Sequence, residues 1–551
     1  MLPHRKRSIN SRSMKLYIDA PKKPVIPLHL FQCWHTLDLP PKMKENVDLL
    51  KQKNPEFVHF LYDDKMCGDF IYKHFGDDVY YSYNKLKPGA YKADLWRYCV
   101  LYIHGGIYLD IKYKCVNGFK LLELTDQEYF VKDRSYSLEN KPKKIGIYQA
   151  LICALPNNKE LYHCIQKIVY HVKHNLYNNN DLDVTGPHIM SSKLLENNVL
   201  TFHGNYISRN RILQLQIYEE YRQEQKKYSL NEYYLTMWKH KNIYEYPTLQ
   251  SNKTVEFTRT ITRKIGDQEM KLYSSSPTLI EYNNQFILNM RWINYSYFED
   301  GSKQFIPSQF VSLNSRCILN DSFHVTEETF LKEPDYSANF LGTGLEDIRL
   351  FNYNDTYYYN ASYYDVNRKV TSTSYGLYSL EEPFELERTI ITPSFYDTSV
   401  TKIIEKNWSF VLYQDKLRMV YQWFPLQICE IVGQQLNNLE QKNMPEYFKD
   451  ARGTTPGYRS GSEIWFVLHK AQHYIEDHKY YFNYQHFFAV FDLEMNLIRY
   501  SELFKLGGCK VEFCIGLVLK EHELILSYSL LDTRSMISVY DRNTINNLKW
   551  Y

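Results

Sequence analysis

The stretch Ala93–Lys114, ADLWRYCVLYIHGGIYLDIKYK, brings together the groups in this chain best suited to chemistry: Asp94, Arg97, Asp110 and Lys112. Trp96, Cys99, Val100 and Ile103 recur at i, i+3, i+4 and i+7, which predicts a helix with one buried face. Gly105-Gly106 stops that helix, as a glycine in the left-handed conformation would, and Ile107–Leu109 reads as a short buried strand. Asp110 falls at the strand's C-terminal end, outside which ligands bind in open α/β sheets. The competing reading for Asp110 alone is a strand-end turn former. Asp94 and Arg97, one turn apart, read either as part of the same site or as an i, i+3 ion pair worth only ~0.2–0.5 kcal/mol.

Such a site needs elements that bring strand ends together. Residues 24–34 read as a buried strand, 40–53 as a helix with proline near its start, and 54–64 as a turn and a second strand. Strands alternating with helices predict an α/β unit with a largely parallel sheet. The character changes near residue 245. Strand-like blocks then recur at 276–295, 346–365, 408–424, 463–492 and 517–532. Several are two alternating strands around a polar turn, at Asn283-Asn284, Asn354-Asp355, Gln414-Asp415 and Glu521–Glu523. Hairpins repeated at roughly 50–60-residue intervals are the footprint of propeller blades. The expected organisation is a basic extension over 1–22, an α/β domain over 23–246 and an all-β five-bladed propeller over 253–551.

Composition narrows the classes. With 551 residues, 44% hydrophobic and 23% charged, the chain is globular rather than disordered. Aromatic residues reach 16%, including 51 Tyr, which suits half-buried strands and stacking platforms for sugars or bases. The net charge of +3 argues against a general nucleic-acid binder. No apolar run approaches the ~18–20 residues of a membrane span, and the basic start lacks the apolar stretch of a signal peptide. The 10 cysteines include no C-x-x-C pair and read as buried thiols, which implies a reducing, cytoplasmic compartment.

The first domain resembles the family 32 glycosyltransferases. The matching pieces are Ile26-Pro27 with Gln32 and Trp34, Asp94 with Arg97-Tyr98, Gly105-Gly106-Ile107-Tyr108-Leu109-Asp110, Thr185-Gly186-Pro187, and Thr236-Met237-Trp238. The resemblance implies a GT-A, Rossmann-like fold, a nucleotide-sugar donor, a glycan or glycoconjugate acceptor and retention of anomeric configuration. It places Gln32, Trp34, Arg97, Tyr98, Gly105, Gly106, Gly186, Pro187, Thr236 and Trp238 around the donor. Trp34 would stack on the nucleobase, Asp94 and Asp110 would accept from ribose and sugar hydroxyls, and Trp238 would close over the diphosphate. One position departs from the pattern: Lys112 stands where the family's second D-x-D aspartate holds Mn²⁺ or Mg²⁺. Either Lys112 replaces the metal as a point charge for phosphate, with Asp110 a doubtful metal ligand, or the site is dead, or Lys112 points into solvent.

The second domain resembles the five-bladed propellers of glycoside hydrolase and phosphorylase families. The segments that carry this are Gly344–Arg349, Glu405–Trp408, Arg452–Thr454, His469, Tyr484–His486 and Glu512–Gly516. Candidate glycan-site residues are Arg291, Glu346, Asp347, Arg349, Trp408, Arg452, His469, His486 and Glu512. Asp347 and Glu512 are candidates for the carboxylate pair that glycoside hydrolysis requires. The alternatives are glycan binding without catalysis, and hydrogen bonds that merely tie blades together.

Overall fold

The computed structural model describes residues 23–136, 144–190, 192–195, 200–210, 212–230, 232–265, 267–305, 310–332, 344–365, 370–395 and 404–551. The expected basic extension, 1–22, lies outside the described residues. The chain divides into two compact units between Trp238 and Lys239, ahead of the expected domain boundary at 246–253. Among the described residues no helix is long and apolar enough to cross a membrane. All ten cysteines are unpaired thiols, and only Cys33 and Cys509 are partly exposed.

The first unit is built from β1 (His29–Cys33), α1 (Pro41–Lys53), β2 (Val58–Tyr62), α2 (Asp64–Phe75), α3 (Asp77–Lys85), α4 (Gly89–His104), β3 (Gly106–Leu109) and β4 (Tyr113–Cys115). There follow β5 (Tyr129–Tyr136), β6 (Lys144–Ala154), α5 (Lys159–Lys173), β7 (Leu200–His203), β8 (Tyr206–Arg209), β9 (Ile212–Ile217), α6 (Tyr221–Tyr228) and α7 (Tyr234–Lys239). The sheet order is β2-β1-β3-β6-β5-β7-β8-β9-β4. Only β2–β1–β3 and β5–β7 pair in parallel, so the largely parallel sheet expected from the early alternation is a mixed one. β7 and β8 are joined by the two residues Gly204-Asn205, a connection short enough only for antiparallel pairing.

Local chemistry explains how α1 and α4 sit. Pro41 opens α1, and the Glu224 carboxylate of α6 caps it, accepting from Lys42 and Met43 N–H at 2.8 and 2.9 Å. Met43, Val47 and Leu50 then pack with Leu30, Ile107 and Leu109 of the sheet. Nearly the whole circumference of α4 is buried from Leu95 to Leu101, so the single buried face predicted for it is too narrow. At its end Gly105 donates to Leu101 O at 2.8 Å; its φ of 61° is positive as expected of glycine, but its ψ of −178° is extended rather than left-handed helical.

The second unit is all β among its longer elements. β10 (Lys253–Glu256) precedes a sheet of β11 (Thr260–Ile265), β12 (Gln268–Tyr282), β13 (Gln285–Ile293), β16 (Ser312–Leu319) and β17 (Val325–Phe330). A small pair, β14 (Ser296–Tyr297) and β15 (Lys303–Phe305), is inserted within it. Next come β18 (Glu346–Tyr353), β19 (Thr356–Asp365), β20 (Val370–Leu377) and β21 (Thr389–Pro393). The third group is β22 (Ser409–Tyr413), β23 (Lys416–Trp423), β24 (Leu426–Val432) and β25 (Gln435–Lys442), joined to the second by a parallel β21–β25 contact. The fourth holds β26 (Arg452–Gly453), β27 (Tyr458–Ser460), β28 (Glu463–Glu476), β29 (Lys479–Phe491) and β30 (Leu497–Tyr500). The fifth, β31 (Glu512–Leu519), β32 (Glu523–Leu530) and β33 (Arg534–Asp541), is completed by β10 from the start of the unit.

The turns have a stereochemical basis. Asn283-Asn284, Asn354-Asp355 and Gln414-Asp415 all have both central residues at positive φ, between 43° and 59°, the geometry that matches strand twist in two-residue hairpins. Apolar clusters join each group to the next. Ile287 packs with Ile348 and Tyr359, Ile391 with Phe410 and Met419, and Val420 with Phe466 and Phe487. Val467 and Phe488 pack with Leu517 and Leu526, and Ile525 and Ile537 with Leu279 and Leu288, which returns the chain of contacts to the first sheet.

Candidate functional site

In the first unit β3 delivers Asp110 to a cluster of charges. Lys112 Nζ lies 2.6 Å from Asp110 Oδ2, while the Tyr108 hydroxyl donates to Oδ1 at 2.8 Å. The Arg97 guanidinium lies 3.7 Å from the same Oδ1 and 3.3 Å from Asp94 Oδ1, bridging the two carboxylates. Arg97 also caps the face of the Tyr108 ring at 4.3 Å and donates to Gln149 O at 2.5 Å. Asp94 accepts from Thr185 at 2.8 Å, and Tyr98 donates to Gln149 Oε1 at 2.6 Å and to Thr185 O at 3.2 Å. Asp94 and Arg97 are 7% and 5% exposed, so theirs is a buried bridge within a network rather than an isolated surface pair.

The electrostatics follow from this packing. Burial alone would raise the Asp110 carboxyl; the charges of Lys112 and Arg97, with hydrogen bonds from Lys112 and Tyr108, hold it down at about 2. Burial pushes the Asp94 carboxyl up, against the pull of Arg97 and Thr185. Burial would depress the Lys112 ammonium, but Asp110 and the phenols of Tyr221 and Tyr113 outweigh it and raise its pKa. Lys112 also faces the Tyr113 and Tyr148 rings at 5.6 and 5.5 Å, and Asn46 of α1 fixes the backbone on either side of it through Ile111 O and Tyr113 O. A solvent-directed Lys112 is therefore excluded by its contacts.

The other expected donor residues fall into distinct groups. Gln32 is fully buried, its Oε1 paired at 2.8 Å with His59, whose imidazole burial and the Lys51 charge push down to about 4. Gln32 Nε2 and Trp34 Nε1, on and just after β1, are buried with no protein partner. Gly106 serves close packing: at φ 114°, a Cβ there would meet His29 O at 2.7 Å. Gly105 stops α4, and Gly186-Pro187 follows Thr185, with the Gly186 Cβ position 3.4 Å from Asp94 Oδ2. Thr236 and Trp238 lie on α7, where Trp238 Nε1 donates to Tyr177 O at 2.7 Å and Tyr234 contacts the Tyr91 ring of α4.

This donor set does not fit a divalent cation. Hard cations take six or more oxygens, whereas here both Asp110 oxygens are already engaged and two cationic side chains sit within 4 Å. Among the described residues no group of three or more His, Cys, Asp or Glu is placed to hold a metal.

In the second unit the candidate residues separate into a charged cluster and a scaffold. Asp347, at φ 52° where β18 is irregularly paired, receives Arg291 at 2.7 Å, and Glu346 lies 3.5 Å from the same guanidinium. Burial would raise Asp347, but Arg291, Arg349 and Lys406 lower it. Arg452 is exposed at the start of β26, and His469 Nδ1 lies 2.6 Å from Thr454 Oγ1.

Glu512, the other candidate carboxylate, is held by backbone groups. It is fully buried, and its two oxygens accept from Leu506 and Gly507 N–H at 2.8 and 2.9 Å, a loop-holding role. Arg349 is likewise spent on Thr454 O, Asp347 O and Asn407 Oδ1. His486 Nε2 accepts from Cys514 N–H at 3.2 Å, and Trp408 is a core residue. Of these, the Arg349–Thr454 and His486–Cys514 bonds run between strand groups.

The comparisons bear on the first unit above all. Residues 40–131 match the family model described as a glycosyltransferase sugar-binding region containing a DXD motif. Over 101 residues the chain is 33% identical to mannosyl phosphorylinositol ceramide synthase of Saccharomyces cerevisiae, covering 18% of this chain and 25% of that protein. Over 91 residues it is 29% identical to the initiation-specific alpha-1,6-mannosyltransferase of Candida albicans, covering 15% and 24%. The chain thus spans about a quarter of the length of these curated relatives. Solved structures similar to it include a putative glycoside hydrolase from Parabacteroides distasonis, at 15% identity and TM-score 0.39 over 54% of this chain and 96% of that one. A mannose phosphorylase from Leishmania mexicana matches at 12% identity and TM-score 0.33, over 55% and 92%. The first unit is glycosyltransferase-like, and the second is a large all-β region.

Several residues of these sites carry no signal in the sequence. Gln149, Tyr148 and His59 lie far in sequence from the motif and reach it only through the sheet. In the second unit Asp532 ends the 517–532 block, and it and Leu531 both have positive φ, a turn geometry that carries no signal of chemistry in the sequence. Asp532 accepts from Ser529 and Ser275 at 3.3 and 3.4 Å, and burial raises its carboxyl to about 6, partly offset by the charge of Arg291.

Proposed function

We propose that the first unit is a GT-A hexosyltransferase that moves a hexose, mannose by likeness to the relatives' names, from a nucleotide-sugar donor to a glycan or glycoconjugate acceptor with retention. The observation that carries the reading is the Asp94–Arg97–Asp110–Lys112 network at the ends of parallel strands β1 and β3, beside two unpartnered N–H donors. In this reading Asp110 and Asp94 accept from sugar and ribose hydroxyls, and Trp34 packs against the base. As the bond between the anomeric carbon and the diphosphate oxygen breaks, negative charge grows on the leaving group. Lys112 offsets that charge in place of a metal, as a preorganised cation already fixed by Asp110 and two phenol rings.

The second unit, in the same proposal, is a five-bladed propeller that binds the glycan. Five strand groups, apolar clusters that return to the first sheet, and an early strand completing the last group support it. One observation favours the bifunctional alternative, in which this unit cleaves or phosphorolyses glycans. Asp347 receives Arg291 at 2.7 Å and Asp532 accepts from Ser275 at 3.4 Å, and the two carboxyls have acidities pushed in opposite directions, the pattern of an acid–base pair.

The test is a donor screen with the whole protein, scoring sugar-nucleotide hydrolysis and transfer with EDTA or with Mn²⁺. Turnover of one donor that survives EDTA is expected. Absence of turnover under every donor and metal condition would leave a glycan-binding protein with a degenerate transferase site. Release of reducing sugar or sugar phosphate from oligosaccharides, lost in Asp347→Asn, would favour the bifunctional form.

A further inference from the structure

The β28–β29 hairpin stays paired from Ile464↔Phe491 out to Glu476↔Lys479. Its rungs His469↔His486, Ala471↔Tyr484, His473↔Phe482 and Ile475↔Tyr480 fall two residues apart, so all of them share one face of the ribbon. Exposure climbs along that face from His486 at 0% and His469 at 2% to Tyr480 at 55% and Ile475 at 60%. The rings are continuous: His469 stacks on Tyr484 at 5.6 Å, Tyr484 lies 6.5 Å from Phe482, and Phe482 meets Tyr297 edge-on at 5.8 Å. A line of rings leads from this face to the charged cluster, since Tyr297 lies 6.3 Å from Tyr295, whose hydroxyl accepts from Arg291 at 3.5 Å.

The outer end is a braced platform. Phe482 N–H donates to Gly301 O at 2.9 Å, and Ser302 bridges to Tyr481 from the β14–β15 insertion. On the opposite face His240 stacks on Tyr474 at 4.9 Å and pairs with Glu476 at 3.2 Å. The fold does not require apolar side chains at the exposed outer rungs, where water would favour polar ones.

An apolar face that runs from solvent into a cluster of carboxylates and guanidinium matches an amphipathic polymer. Linked sugars pack their C–H faces on rings and offer hydroxyls to charged groups, and a single sugar is too short to reach the outer rungs. We infer that this hairpin face is the outer part of a glycan track, so that the second unit takes chains of several linked hexoses with one end at the Asp347–Asp532 cluster. The inference rests on the glycan-binding reading of that unit.

The experiment is isothermal titration of the whole protein with linear manno-oligosaccharides of two, four and six units, in α-1,2-, α-1,6- and β-1,2-linked series. In one series the hexasaccharide should bind about tenfold more tightly than the disaccharide, and Ile475→Ser with Tyr480→Ala should remove most of that gain. The variant should keep the disaccharide affinity and the melting temperature, because both side chains are exposed. Affinity independent of length overturns the track while leaving glycan binding at the cluster intact. Equal weakening of both ligands in the variant also overturns it, and no binding in any series overturns the track and the glycan reading together.

Discussion

Lys112 occupies the position at which the transferase reading is most exposed to test. Its ammonium is held 2.6 Å from Asp110 and faces two phenol rings, so Lys112→Ala removes a fixed charge without opening the core. Turnover should fall ~10²–10³-fold, the cost of losing one preorganised stabilising group. Lys112→Asp should be poor without metal and partly rescued by Mn²⁺, whereas wild-type activity lost in EDTA would show that a cation binds elsewhere. Asp110→Asn should be as damaging to turnover, and it should not be silent for stability. Its carboxylate is what keeps Lys112 and Arg97 side by side, so the melting temperature drops at neutral pH. The sign follows from a carboxyl held at about 2 against an ordinary 3.8: its stabilisation is full above pH ~4 and disappears as pH falls toward 2. Melting curves of wild type and variant should therefore converge over that window. Asp532 is the opposite case, a carboxyl raised to about 6, so its ionised form opposes folding above that pH. Asp532→Asn should raise the melting temperature at pH 7.5, with the gain vanishing between pH ~6 and ~4; a loss of stability at pH 7.5 would mean the carboxylate is needed by Arg291.

At the scale of elements, the site depends on how closely β1 and β3 approach. Gly106 sits at φ 114°, with its Cβ position 2.7 Å from His29 O, so any side chain there must push β1 away from β3. Gly106→Ala should cost about 1–3 kcal/mol from backbone strain alone, with turnover reduced because Gln32, Trp34 and Asp110 ride on those two strands. Circular dichroism melts and the donor assay read the two effects separately. Unchanged stability would mean that the strands part at no cost. The element boundaries themselves were legible where the signal is local. Pro41 and the Met43–Val47–Leu50 spacing mark α1, Gly105 marks the end of α4, and Asn-Asn, Asn-Asp and Gln-Asp mark hairpins through their tolerance of positive φ. What was not legible was which strand lies beside which, because a strand's sequence records burial and not its partner.

For the whole molecule, the decisive joint in the second unit is β10, which leaves the start of the unit to pair with its last strand. The register that puts Phe257 N–H on Ser535 O places Val255 N–H on the same strand, opposite Ile537. Val255→Pro removes that donor and should lower the melting transition of the second unit, at ~2–4 °C per kcal/mol for a unit of this size. Donor turnover by the first unit should be unaffected below that transition. A variant that melts like wild type would show that β10 adds nothing to closure.

The sequence by itself determined the two-part organisation, the α/β and all-β characters of the parts, and the Asp94, Arg97, Asp110 and Lys112 set, since each is written in local periodicity, turn chemistry or contiguous motif. Only the tertiary structure decided what those residues do to one another. It bridged Asp94 and Asp110 through Arg97, locked Lys112 onto Asp110, and engaged Glu512 with the 506–507 backbone and Arg349 with Thr454 O. The physical reason is that ionisation and hydrogen bonding depend on neighbours within a few ångströms. Some of those neighbours lie far along the chain, as Thr454 lies 105 residues from Arg349, so a strand's own sequence gives no sign of the bond its side chain will make.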